Sequence, residues 1–201
     1  MTNSDYTPPV SQLLTYGEHG SWTVDTWPDY PKDFGLTAEH IPELLRLMSD
    51  WELWERDSES AEVWASCHAW RALAQMKAVE VVEPLLDLYA DYDDDDYINE
   101  ETPKVLTLLG PQILPRIEPY LKDPEFSPWG KIALIEAIKN IGLQSPESQS
   151  TCLELIRQQL ENHKANDDSI NGWLVEALVK FQAAETAPLI EAVYASDNID
   201  E

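Results

Sequence analysis

Four segments of this chain open in the same way, with an apolar residue, a proline within two positions, and then more apolar residues. They are Ile41-Pro42-Glu43-Leu44-Leu45, Val82-Glu83-Pro84-Leu85-Leu86, Ile113-Leu114-Pro115-Arg116-Ile117 and Ala187-Pro188-Leu189-Ile190. Proline lacks a backbone N–H and fixes φ, so in a helix it belongs in the first turn. Apolar residues then recur three and four apart, the period of a helix with one buried face. The prolines stand 42, 31 and 73 positions apart. The long gap holds two units, one of them without the proline, near Leu153, so the period averages about 36 residues.

A second recurring segment precedes three of these and the proline-less unit near Leu153, leaving Ile41–Leu45 in a leading helix without a partner. Ala69-Trp70-Arg71-Ala72-Leu73-Ala74, Lys104-Val105-Leu106-Thr107-Leu108-Leu109-Gly110, Ala137-Ile138-Lys139-Asn140-Ile141-Gly142 and Glu176-Ala177-Leu178-Val179-Lys180-Phe181 all read as first members of helical pairs. Such a pair cannot bury its own apolar face, whereas stacked pairs share one core. The punctuation agrees. Thr37, Ser127-Pro128, Ser145-Pro146 and Asp167 or Asp168 open helices, and a break falls near Lys77-Ala78. Gly110-Pro111 and Gly142 are read as stops, and Pro103 as a kink or a late start. The first helix is expected to begin after Thr37 and run on through Trp51 and Trp54. No stretch alternates strictly between apolar and polar residues. The expectation is an all-α chain of about nine helices. It divides into an irregular aromatic N-terminal cap over 1–36, a solenoid over 37–195 and a frayed polar tail over 196–201. In the lead-in, Leu13, Leu14, Tyr16, Trp22, Trp27, Tyr30 and Phe34 are too apolar for a free segment.

Two helices per unit, a period near 36 and a proline in the second helix resemble the HEAT-repeat family, an armadillo-like α-α superhelix. The stretch from His68 to Leu86, led by Trp64, resembles an uncharacterised subfamily of bacterial HEAT-like proteins. Some of its members end in a cysteine-rich metal-binding tail, which has no counterpart in these residues, so no metal site is implied. The resemblance implies that the second helices line the concave, partner-binding side. Some HEAT-like proteins also resemble chromophore lyases of the phycobilisome type, and this makes bilin or small-ligand handling the alternative function.

Charge narrows the partners. Lys plus Arg number 13 against 38 Asp plus Glu, a net charge of −25. Such a chain repels phosphate backbones and anionic bilayers, so neither nucleic acid nor membrane is expected. It attracts a basic protein partner. Two cysteines imply no disulfide framework. The polar opening from Met1 to Pro9 has no apolar core, and no apolar run reaches the roughly 18 residues of a membrane helix, so the expected setting is cytoplasmic.

Three groups of residues are candidates for chemistry. In the first, Trp64, His68 and Arg71 share a helix face. Cys67 and His68 could pair as nucleophile and base, but neighbours in sequence lie about 100° apart around a helix and do not face each other. Core packing, with Arg71 over a tryptophan, is the plainer reading. The second is the run Asp91–Asp96 with Glu100 and Glu101. From Ala78 to Pro103 there are ten acids and no Lys or Arg. A calcium loop begun at Asp91 needs Gly at its sixth position and Glu at its twelfth, which here are Asp96 and Thr102. Helix capping and solvation account for the run. The third group is the tryptophans, of which Trp51 and Trp54 lie among charged residues and are the ones expected at the surface. The expected function is a non-enzymatic protein-binding scaffold with no cofactor, and its expected partner-binding residues are Trp51, Trp54, Glu55, Asp87 and Asp91.

Overall fold

The computed structural model describes residues 6–18, 23–196, 198 and 199. Trp22, counted above among the lead-in aromatics, lies outside them. Every regular element among the described residues is helical. None is long and apolar enough to cross a membrane. The chain divides into two compact units, Met1–Leu85 and Leu86–Glu201.

In the first unit, α1 (Tyr30–Phe34), α2 (Ile41–Met48) and α3 (Trp51–Trp54) precede α4 (Ala65–Gln75). Helix α4 is buried at every position from Ala65 to Ala74. Its alanines at 65, 69, 72 and 74 let neighbours approach on all sides. Helix α2 packs on it, as do α1 and the 3-10 turn Val10–Thr15 from the lead-in. That lead-in buries Tyr6, Val10, Leu13, Leu14, Trp27, Tyr30 and Leu36. The first helix does not run on through Trp51. It stops at Met48, and Asp50 leaves helical geometry at ψ 86°. Asp50 is buried there, and its Oδ2 accepts the Tyr6 hydroxyl at 2.7 Å.

Helix α5 (Val82–Asp87) carries the boundary. In the second unit follow α6 (Asp96–Leu109), α7 (Leu114–Lys122), α8 (Pro128–Gln144), α9 (Gln149–Glu161), α10 (Asp168–Lys180) and α11 (Ala187–Ala195). Helices α6, α8 and α10 pack in sequence, side by side, while α7 lies against α9, and α8 and α10 both touch α9. Helix α8 is central and buries Ala133, Leu134, Ile135, Ala137, Ile138 and Ile141. Its glycines are packing devices. A Cβ on Gly142 would lie 2.7 Å from Phe181 Cε1 and 2.9 Å from Cys152 Cβ. Gly142 therefore does not close the helix, which runs two residues further, to Gln144. Pro103 likewise sits inside a continuous α6.

A local signature recurs along the chain. A three-residue 3-10 turn leads directly into α2, α5, α7, α9 and α11: Ala38–His40, Val79–Val81, Pro111–Ile113, Pro146–Ser148 and Ala184–Thr186. Two turns between helices are also alike: Lys77 and Gln182 adopt φ of 58° and 57°, whereas Gly110 ends α6 at φ 91° and ψ −168°, an extended conformation that suits glycine. Behind Lys77 the Ala78 N–H reaches back to the Leu73 carbonyl at 3.0 Å. Behind Gln182 the Ala183 N–H reaches the Leu178 carbonyl at 3.2 Å. Both close the Schellman pattern of a helix C-terminus.

Candidate functional site

The loop between α7 and α8 holds the candidate site of the second unit. Ser127 caps α8, its Oγ accepting the Gly130 N–H at 3.3 Å, and Pro128 follows at the first helical position. This start positions Phe126 directly over Gly130, where an added Cβ would lie 2.6 Å from two ring carbons. The Phe126 ring meets Tyr120 edge-on at 5.2 Å and Tyr89 at 5.9 Å. Edge-to-face contacts of this kind lock rings in place. The three rings border a groove of about 560 Å3, whose walls also carry Asp87, Asp93, Asp123 and Glu125.

Three of the four carboxylates are positioned by a neighbour. Tyr120 donates its hydroxyl to Asp87 Oδ1 at 3.4 Å, and Ser127 donates to Asp93 Oδ2 at 3.3 Å. Asn99 donates to the Asp93 carbonyl at 3.0 Å, fixing the turn. The Glu125 N–H donates to Asp123 Oδ1 at 2.9 Å. No Lys or Arg lines the groove. Tyr89 is buried, and this desolvation pushes its hydroxyl up to about 12. Chemically the groove offers carboxylates above aromatic faces, an arrangement that suits an ammonium or guanidinium group.

Of the residues expected to bind a partner, Asp87 lies in this groove and is exposed. Asp91 is exposed but does not line it. Asp93, Asp123, Glu125 and the three rings complete the groove, and sequence reasoning did not single out Asp123, Glu125, Tyr89, Tyr120 or Phe126 for it. The remaining expected residues lie in the first unit. Trp51 is 56% exposed and Glu55 is exposed, whereas Trp54 is half-buried with its ring 5.5 Å from that of Trp70.

The Cys67–His68 constellation sits in the core of the first unit. His68 Nε2 lies 2.8 Å from the Gly17 carbonyl and Nδ1 lies 2.7 Å from the Tyr30 hydroxyl. A carbonyl only accepts, so Nε2 donates to it, and Nδ1 of that tautomer accepts the hydrogen bond of the Tyr30 hydroxyl. Both imidazole nitrogens are thereby engaged. Arg71 lies over the Trp27 ring at 5.0 Å, and burial holds the Tyr30 hydroxyl far above its ordinary pKa. In the acidic run, Asp95 caps α6 by accepting the Ile98 N–H at 3.0 Å. Among the described residues no group of three or more His, Cys, Asp or Glu is arranged to hold a metal ion.

Compared with protein-family models, with curated proteins and with solved structures, the chain matches none of them.

Proposed function

We propose that this protein is a non-enzymatic interaction module of HEAT-like helical pairs, stacked as a solenoid in the second unit, and that it takes a basic segment of a protein partner into the groove at Asp87. One observation carries the reading: four acids and three aromatic rings converge on a groove that no basic side chain lines. The net charge of −25 adds long-range attraction for the same class of partner. The solenoid reading is supported by the three 3-10 turns of that unit, at Pro111–Ile113, Pro146–Ser148 and Ala184–Thr186, and by the neighbour order of α6, α8 and α10. Exposed Trp51 and Glu55 are proposed as a second contact on the first unit.

The test is fluorescence anisotropy of a labelled lysine-rich peptide. Binding is expected to weaken as salt rises. Reversing two groove charges with Asp87→Lys and Asp123→Lys is expected to weaken it at least tenfold, about 1.4 kcal/mol. Equal binding by the charge-reversed protein would sink the reading. Trp51→Ala, read in the same titration, tests the second contact.

A further inference from the structure

A second cavity of the same unit, about 720 Å3, lies among the ends of α7 and α9 and the starts of α8 and α10. Two of its wall residues, Lys131 and Gln159, are only 7% exposed. Each presents a polar atom that nothing among the described residues answers.

The Lys131 ammonium makes no hydrogen bond and no ion pair among the described residues, yet the residue sits in the first turn of α8, where the helix dipole disfavours a cation. Burial lowers its pKa from the ordinary lysine value, while Asp123 and Glu125 act through space in the opposite sense. A buried ammonium without a hydrogen-bonded anion is costly, and one at a cavity wall is open to an anion from outside.

The orientation of Gln159 is fixed by a chain of amides. Asn171 Nδ2 donates to the carbonyls of His163 at 2.8 Å and Asn198 at 2.7 Å, so its Oδ1 faces the other way. That Oδ1 accepts Asn166 Nδ2 at 2.9 Å, and Asn166 Oδ1 in turn accepts Gln159 Nε2 at 3.0 Å. Carbonyls only accept, so the donors must run in this one direction. Gln159 Oε1 is left as the end of the relay, accepting no hydrogen bond and not sealed from the cavity.

The wall thus offers one buried cation and one oriented neutral acceptor, with Glu125, Glu161 and Asp167 also lining the space. Those acids repel a polyanion, and they favour a ligand that brings a positive charge along with its negative one. We propose that this cavity binds a small zwitterion of the α-amino-acid class, its carboxylate on Lys131 and its ammonium on Gln159 Oε1 beneath the acidic residues. The proposal does not rest on the reading of the basic-segment groove, although Glu125, Phe126 and Pro128 line both cavities.

Isothermal titration calorimetry of the full chain tests it, with L-glutamine, acetate and inorganic phosphate as probes at one ionic strength. Saturable one-to-one binding of L-glutamine is expected, stronger than that of acetate or phosphate. Lys131→Gln is expected to weaken it at least tenfold, and Lys131→Arg less. A second measurement guards against a variant that fails to fold. The wild-type lysines are 13C-dimethylated and their NMR resonances followed, with Lys131 assigned by its loss in Lys131→Arg. That resonance is expected to move on adding L-glutamine. No saturable heat, a still Lys131 resonance, unchanged affinity in a folded Lys131→Gln, or tighter binding of phosphate would each overturn the proposal.

Discussion

Gln182 occupies a backbone position that L side chains rarely take, φ 57°, at the exposed turn after α10. A glycine there removes the Cβ clash of the left-handed region, so Gln182→Gly is expected to raise stability by about 0.5–1 kcal/mol. Urea unfolding reads this as a higher midpoint at an unchanged slope. The turn after α6 has a different backbone conformation and was legible because it carries Gly110. Those at Lys77 and Gln182 gave no glycine signal, and only the break near Lys77-Ala78 could be read. Tyr89 supplies a pH prediction. Its folded-state value of about 12 lies above the ordinary 10, so the neutral phenol is favoured by folding. Its contribution to stability is fully present below pH 10 and is lost as pH rises from 10 towards 12. Tyr89→Phe, which cannot ionise, should lose less stability over that window, as measured by denaturant midpoints at each pH.

Helix identity was legible in this chain and helix boundaries less so. The proline-led segments, the caps at Ser127 and Asp167 and the stop at Gly110 act through local backbone chemistry, which sequence reports directly. At the break before α3, Asp50 is bonded by Tyr6, 44 positions away, and no local window contains both. Gly142 makes the same point with an energetic consequence. It looks like a helix stop, but it is the place where Phe181 and Cys152 press on α8. Gly142→Ala gains about 1 kcal/mol of helix propensity. It also forces a methyl group against two neighbours, which typically costs about 1–3 kcal/mol in a packed core. The net effect expected is destabilisation, checked by thermal unfolding. A rise in melting temperature would mean that Phe181 moves aside freely. Cys152 is buried beside it, and burial pushes its thiol up to about 11, in keeping with a packing role.

At the scale of the molecule, the acidic character was legible from composition, and its organisation was not. Asp87 was singled out as one acid among ten in its stretch, whereas Asp123 and Glu125 come from a different interhelical loop. The amide relay was equally hidden, since Gln159, Asn166, Asn171 and Asn198 have no pattern until the backbone folds them together. Glu125, Phe126 and Pro128 are walls of both cavities. A shared wall gives two occupants a route to thermodynamic linkage, and any such linkage is reciprocal: the factor by which L-glutamine alters the affinity for a lysine-rich peptide must equal the factor by which the peptide alters the affinity for L-glutamine. Titrating each in the presence of the other is expected to give one coupling factor different from unity, and a factor of one would mean that the Phe126 ring holds still under both. A protein with such a coupling is a conditional adaptor, whose grip on a partner reports the supply of a metabolite.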